Sequence, residues 1–140
     1  MAVSDFDTKA AVIVRDDLAA WQRLNVCAFL MGGVTAAAGR EAIGEDYIDA
    51  DGNRYLPLLV QPVLVFESDG RRLQTVRERA ARREVPVALY TAAMFATGND
   101  RDNRAVVRSV AAEDLDIVGI ALRASHRDAD AILRGLSRHP

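Results

Sequence analysis

The stretch KAAVIVRDDLAAWQRLNVCAFLMGG, residues 9–33, joins an apolar run to a helical pattern through a charged turn. The run at residues 9–15 contains consecutive β-branched side chains, which is typical of a strand covered on both faces. Asp16 and Asp17 end this run, and an aspartate here can cap the following helix while its charge favours the helix N-terminus. The stretch predicts a strand, an acidic turn and a helix, and we expect the rest of the chain to pack around them.

The first helix is predicted over residues 17–31, with Gly32 and Gly33 as its stop because glycine adopts a left-handed backbone without a Cβ clash. Apolar residues at helical spacing predict the face that lies on the sheet: Leu18, Trp21, Leu24, Ala28 and Met31. Asn25 lies near this stripe, as either a buried, hydrogen-bonded amide or a residue of a cleft. The first reading is favoured, since buried amides are usually satisfied.

Strand and helix patterns alternate through the rest of the chain. Strands are predicted at residues 59–67, 85–91 and 115–123, and helices at 35–43, 71–84, 100–110 and from Ser125 onward. A hairpin is predicted around Asp51-Gly52 as a two-residue turn, and the helix at 71–84 should bury Leu73, Val76 and Ala80. The alternation predicts an α/β fold, a three-layer α/β/α sandwich around a mostly parallel sheet.

Composition limits the possible classes of protein. With 140 residues the chain should form a single domain over residues 1–140, large enough for a core without disulfides or metals. A net charge of −2 argues against a general nucleic-acid binder, which needs a basic surplus. A single cysteine, Cys27, excludes an internal disulfide. No apolar run approaches the roughly 18 residues of a membrane span, so we expect a cytoplasmic protein without a membrane partner.

Polar residues follow the first and third predicted strands, where the crevice of an open α/β sheet binds ligands. They are Asp16, Asp17, Tyr90, Thr91, Thr97, Asn99, Asp100, Asn103 and Arg104. The leading hypothesis is a small polar or anionic ligand, or a hydrolase substrate. Arg104 would hold an anion, Asn25 and Asn103 would orient it, and Asp16 or Asp17 would act as base.

Two further hypotheses stay open beside the ligand cleft. One is a noncatalytic homodimeric interaction module in which Met94 and Phe95 form an apolar partner patch. The other is residual transfer-RNA chemistry on the arginine-rich helix at residues 71–84, although such helices are more often solvated faces. The sequence contains no motif for phosphate, nucleotide or zinc binding, so we predict no cofactor and no metal. His126 and Asp130 lie one helical turn apart, but no third ligand accompanies them.

Four segments together resemble a known family: VIVRDDLAAWQRLNV, YIDADGNRYLPLLVQPVLVF, YTAAMFATGNDRDNRAVV and DLDIVGIALR. They resemble the bacterial family known as the domain of unknown function numbered two thousand, over nearly the whole chain. The resemblance implies a type II peptidyl-tRNA hydrolase-like fold, with a small mixed sheet between helices, often found as a dimer.

The resemblance does not carry over the catalytic residues of peptidyl-tRNA hydrolases. In those enzymes the first helix opens with Gly-Lys, and a later strand ends in Asp-Ala-Gly-Arg-Thr. Here the corresponding positions read Asp17-Leu18-Ala19-Ala20-Trp21 and Tyr90-Thr91-Ala92. Lys9 lies at the opposite end of the first strand, so it cannot replace the missing lysine.

Overall fold

The computed structural model describes residues 6–140, which form an α/β fold. The strands are β1 (Thr8–Arg15), β2 (Tyr47–Ile48), β3 (Arg54–Tyr55), β4 (Val63–Ser68), β5 (Ala88–Thr91), β6 (Ile117–Ser125) and β7 (Ser137–Arg138). The α-helices are α1 (Ala20–Ala38), α2 (Gly70–Arg82), α3 (Asp100–Arg108) and α4 (His126–Leu133). Short 3₁₀ turns occupy Arg40–Ala42, Ala92–Ala96 and Ala112–Asp114.

The main sheet has the strand order β5-β6-β1-β4-β7. It is mixed, as the family resemblance implies, but the expectation that it is mostly parallel is wrong for the pairs within residues 6–140. β1 pairs parallel with β4, whereas β1–β6, β4–β7 and β5–β6 are antiparallel. Because β1 and β5 are both antiparallel to β6, they point in the same direction as each other and as β4. The carboxyl ends of these three strands therefore lie at one edge of the sheet.

Helices cover both faces of the sheet, because alternate residues of a strand point to opposite sides. Ala11 and Ile13 of β1 belong to a core formed with α2 and α4. Val12 and Val14 belong to a second core formed with α1. β1 lies between the two cores, which confirms the prediction of a strand buried on both faces.

The face of α1 that lies on the sheet differs from the predicted one. Val26, Leu30 and Val34 are buried, and each such side chain stabilises the fold by roughly 1.5–3 kcal/mol. Trp21 and Leu24, predicted to be buried, are 63% and 73% exposed. Since α1 is apolar on every side, its sequence does not reveal which side the sheet covers.

The ends of α1 also differ from the prediction. Asp17 is not the cap, because its carboxylate pairs with Arg15 at 2.7 Å. The helix begins at Ala20, and the side chain of Gln22 accepts a hydrogen bond from the Ala19 amide at 3.0 Å. The glycines at 32–33 do not stop it, because burial of Val34 favours a further turn. The segment predicted as a separate helix at 35–43 instead holds the last turn of α1, up to Ala38, and a short 3₁₀ turn at Arg40–Ala42.

The other helices follow their sequence patterns more closely. Leu73, Val76 and Ala80 of α2 are buried as predicted, and Asp69 caps the helix by accepting from the Arg72 amide. Ser125 caps α4 by accepting from the Asp128 amide at 3.1 Å, which confirms the predicted helix start.

The predicted hairpin is present, but its turn is longer than expected. β2 and β3 pair through Tyr47–Tyr55 and Ile48–Arg54, which leaves a five-residue loop at 49–53 instead of a two-residue turn. The Asp49 carboxylate closes this loop by accepting from the Asp51 and Asn53 amides, each at 2.9 Å. β7 was not predicted, since two exposed residues carry no strand pattern.

Candidate functional site

A cavity of about 520 Å³ lies between α1, β5 and α3. This volume falls within the roughly 300–1,000 Å³ of small-molecule sites. Apolar groups of α1 and β5 form one wall, and polar side chains of α3 form the opposite wall. The lining residues are Phe29, Leu30, Gly33, Ala88, Leu89, Tyr90, Met94, Asp100, Asn103, Arg104, Val107 and Arg108. The cavity therefore combines an apolar surface with a cationic rim.

Tyr90 anchors the apolar side of the cavity at the end of β5. Its ring contacts Phe29 and Phe95, with centroids 5.9 and 5.2 Å apart, and Phe95 also meets Trp21 edge to face at 6.1 Å. The side chain is only 7% exposed, and burial raises the pKa of its phenol. Tyr90 is consequently a neutral hydrogen-bond donor at physiological pH.

The Tyr90 side chain brings a hydroxyl to the apolar side of the site. No group within residues 6–140 forms a hydrogen bond with this hydroxyl, whereas every fully buried side-chain oxygen or nitrogen in that range has a partner. We therefore expect the hydroxyl to be accessible from the cavity that Tyr90 lines.

The polar wall is set by the start of α3. Asn99 caps the helix by accepting from the Asp102 amide at 2.8 Å. Asn103 accepts a hydrogen bond from the Thr97 hydroxyl, which fixes its amide beside the cavity. Arg104 pairs with Asp100 at 2.6 Å one helical turn away. Four residues of the predicted crevice, Tyr90, Asp100, Asn103 and Arg104, thus line one cavity, and Thr97 orients one of them.

The predicted catalytic aspartates lie elsewhere on the same edge of the sheet. β6 separates β1 from β5, so Asp16 and Asp17 follow a strand two positions away from Tyr90. Arg15 pairs with Asp17 at 2.7 Å and with Asp116 at 2.5 Å. Burial disfavours the charged guanidinium, but these two carboxylates outweigh it and raise the pKa of Arg15. Neither Asp16 nor Asp17 lines the cavity.

Two further predicted residues, Asn25 and Thr91, do not line the cavity. Asn25 lies between Trp21 and Phe29 on one stripe of α1 and is half-buried. Thr91 ends β5 and is 3% exposed.

Most arginines of α2 have partners on the molecule itself. Arg79 donates to the carbonyls of Ile132 and Arg134 at the end of α4. Arg83 pairs with Asp128 at 3.1 Å, and Arg72 donates to a carbonyl in the turn after α4. This arginine-rich helix is therefore used in part to hold α4.

Other candidate groups also contact their own chain. Asp130 pairs with Lys9 at 2.5 Å, and the His126 ring contacts the Phe6 carbonyl. Cys27 is half-buried, and burial raises the pKa of its thiol, which disfavours a nucleophilic thiolate. Met94 and Phe95, the predicted partner patch, pack partly against their own core.

Sequence reasoning missed the contribution of α1 to the cavity. Phe29 and Gly33 lie one helical turn apart and face β5. Their signal was present in the sequence, because Phe29 and Gly33 continue the one-turn spacing of Trp21 and Asn25. The residues were overlooked because the predicted helix placed a different stripe on the sheet.

The geometry defines an α/β protein with a small, amphipathic cavity beside its sheet. Residues 8–140 match the family described as "Protein of unknown function (DUF2000)", and the chain belongs to this family. A solved structure of a protein of unknown function, Atu0240 from Agrobacterium tumefaciens strain C58, is 46% identical to the chain. The similarity covers 96% of this chain and 99% of that one, with a TM-score of 0.93. A search of curated proteins gives no match.

No helix within residues 6–140 has the length and apolar character needed to cross a membrane.

Proposed function

We propose that the chain binds a small molecule with a flat apolar body and one anionic group in the cavity between α1, β5 and α3. The observation that carries the proposal is the placement of Tyr90, Asn103 and Arg104 around one volume of about 520 Å³. The apolar body would lie against Phe29 and Met94. The anionic group would face the α3 wall.

The anionic preference follows from the charges at the rim. Arg104 and Arg108 line the cavity together with one carboxylate, Asp100. The Arg104–Asp100 pair is exposed, so it contributes little to stability and can rearrange. An incoming carboxylate or phosphate would accept charge-assisted hydrogen bonds from Arg104, while the Tyr90 hydroxyl and the Asn103 amide would orient it.

The finer predictions of activity are not part of this binding proposal. A hydrolase would need a base beside the bound molecule, and the predicted bases, Asp16 and Asp17, lie outside the cavity. The type II peptidyl-tRNA hydrolase-like fold, the cytoplasmic location and the catalytic role of these aspartates stay predictions.

The test is a titration of the protein with phenyl phosphate and with benzoate, and with neutral phenol for comparison. Amide resonances would be followed during titration, and we expect the anions to shift those of Gly33, Tyr90 and Asn103 more strongly than phenol does. Arg104→Gln should weaken anion binding about tenfold, since a charge-assisted hydrogen bond contributes roughly 1.5–3 kcal/mol.

Arg101→Gln is the matched control, because Arg101 is an exposed arginine of the same helix that does not line the cavity. It should leave anion binding unchanged. Equal weakening by both variants would indicate a general charge effect. Shifts confined to another surface would contradict the proposed site.

A further inference from the structure

A second cavity, of about 710 Å³, lies on the other side of the buried stripe of α1. β1, the first half of α1, β4 and the segment after β7 form its walls, and Val14, Leu18 and Val65 supply apolar surface. Arg23 and His139 also line it, whereas within residues 6–140 no acidic, phenylalanine, tyrosine or tryptophan side chain does. The cavity is therefore aliphatic and carries basic side chains without an acidic one.

The cavity exists because one face of the sheet is only partly covered. α1 packs on β1, β6 and β5, whereas β4 lies on the far side of β1 from β6. Leu64 and Phe66 of β4 are buried on the face that carries α2 and α4. Val63 and Val65 point to the opposite face, beside α1, and are only half-buried. Apolar surface of the sheet thus remains accessible beside α1.

Arg23 is the one charged residue among the 19 positions of α1, and its side chain is half-buried. Its Nε donates to the Leu18 carbonyl at 3.1 Å, and its Nη2 donates to the Asp16 carbonyl at 2.5 Å. None of the ion pairs within residues 6–140 includes Arg23. Because burying a charge is costly unless it is paired, an anion beside this guanidinium would be favourable.

His139 holds the guanidinium of Arg23 against the cavity. Nη1 of Arg23 lies 2.9 Å from Nε2 of His139. A guanidinium can only donate, so Nε2 accepts and the ring proton lies on Nδ1, 3.0 Å from the Pro140 carbonyl oxygen. The His139 amide in turn donates to the Val65 carbonyl at 2.9 Å. These bonds leave one N–H on each terminal nitrogen of Arg23 without a partner within residues 6–140.

We propose that this cavity binds an aliphatic carboxylate, a molecule with an unbranched alkyl chain and one carboxylate head. The carboxylate would accept the two remaining N–H groups of Arg23, since guanidinium and carboxylate groups form bidentate, charge-assisted pairs. The alkyl chain would lie on Val14, Leu18 and Val65. A flat ring finds no aromatic partner here, in contrast to the cavity beside Tyr90. The two cavities share no lining residue, so the second site is independent of the first.

The volume of the cavity is suited to a chain of medium length. About 710 Å³ falls within the roughly 300–1,000 Å³ of small-molecule sites. Each methylene group buried on the apolar walls should tighten binding about fourfold. Two further methylene groups should therefore lower the dissociation constant about tenfold, as long as the added length stays inside the cavity.

The thiol of Cys27 provides the readout, because it lines this cavity and is the one cysteine of the chain. N-ethylmaleimide would be added to the full chain with hexanoate, octanoate or decanoate, each below its micelle concentration. We expect each acid to slow alkylation of Cys27, with dissociation constants that fall about tenfold from one acid to the next. Octanol, which has the same chain and no charge, should bind about tenfold more weakly than octanoate. Phenyl phosphate, the probe for the cavity beside Tyr90, should leave alkylation unchanged.

Two variants test the position of the carboxylate head. Arg23→Gln should abolish the advantage of octanoate over octanol, and Arg23→Lys should restore part of it. Leu24→Glu changes a side chain that lines the cavity but is 73% exposed, so the fold should survive. Its added negative charge should weaken octanoate more than octanol. Arg127→Gln is the matched control, because Arg127 is an exposed arginine of α4 that lines neither cavity, and it should leave both affinities unchanged.

Alkylation that no acid slows would overturn the proposal, as would protection that does not depend on chain length. Equal binding of octanoate and octanol by the wild-type chain would contradict a carboxylate head at Arg23. If circular dichroism showed that Arg23→Gln does not fold, Leu24→Glu would decide, since equal weakening of the acid and the alcohol would also contradict that placement. Protection by phenyl phosphate would show that Cys27 does not report on a separate site.

Discussion

Gly119 sets how closely α1 approaches the sheet. It lies in β6 opposite Val14 of β1, in the middle of the face that α1 covers. A Cβ at this position would lie 2.5 Å from Val26 Cγ1 and 3.0 Å from Leu30 Cδ1. The absent side chain therefore provides the space that two buried residues of α1 occupy.

Replacing this glycine should destabilise the protein through overpacking. We expect Gly119→Ala to lower the free energy of unfolding by about 1–3 kcal/mol, since the added methyl group must displace buried side chains. Urea denaturation followed by circular dichroism measures the change. Gly98→Ala serves as the control, because nothing lies within 4 Å of a Cβ there. Equal stability of the two variants would show that α1 can move away from the sheet without cost.

The acidic residues show how one residue type can be assigned to the wrong role. An aspartate after a strand can cap a helix, bind a ligand or form an ion pair with a basic side chain. The neighbouring sequence does not distinguish these three roles. Asp17 pairs with Arg15, whose second partner, Asp116, is 101 positions away in the chain. Such long-range pairing decides the role, and a local pattern does not contain it.

At the scale of elements, sequence patterns were most informative where a helix has one apolar face. α2 is strongly amphipathic, so its buried residues Leu73, Val76 and Ala80 were predicted correctly. α1 is apolar throughout, so helical periodicity identified the helix without identifying its inner face. The site prediction was affected in the same way, since the α3 residues were found and the α1 wall was missed.

The β2–β3 hairpin offers a prediction about pH, because its loop at residues 49–53 is organised around one carboxylate. The Asn53 side chain, the Tyr55 hydroxyl and two backbone amides donate to Asp49, and they lower its pKa from 3.8 to about 2. A carboxyl group whose pKa is depressed on folding stabilises the structure above its unfolded pKa. That contribution is lost as the pH falls through the folded value, so we expect the loop to stay closed at pH 4 and to open near pH 2.

The carboxyl carbon of Asp49, followed by NMR during acid titration, reports this transition directly. The variant Tyr55→Phe removes one donor and should move the titration midpoint upward. A wild-type midpoint at the ordinary value near 3.8 would mean that the hydrogen bonds around Asp49 do not persist in solution.

At the scale of the whole molecule, the sequence predicted the fold class better than the strand pairing. Alternating strand and helix patterns were enough to predict the α/β class, whereas the mixed sheet was implied by the family resemblance. The order β5-β6-β1-β4-β7 depends on which strands pair across long separations, and each strand's own sequence is compatible with several neighbours. This order also separates the two predicted halves of the site, because β6 lies between β1 and β5.

The same order predicts where the molecule opens first. β1 and β6 are each hydrogen-bonded to strands on both sides, and their central residues, such as Ile13 and Ile120, are fully buried. β7 is an edge strand of two exposed residues, held by pairs with Phe66 and Glu67 of β4. Local openings require less free energy where few buried contacts are lost, so β7 should detach without disturbing the two cores.

Native-state hydrogen exchange measures these differences amide by amide. We expect the amides of Val12 and Ile13 to exchange only through global unfolding, and those of paired residues in β7 to exchange at least about 100-fold faster. Gly119→Ala should accelerate the β1 amides, because it lowers the global free energy of unfolding, while leaving local opening of β7 unchanged. If the amides of β7 were as well protected from exchange as the amide of Ile13, β7 would unfold together with the core. The prediction of local opening at this edge of the sheet would then be wrong.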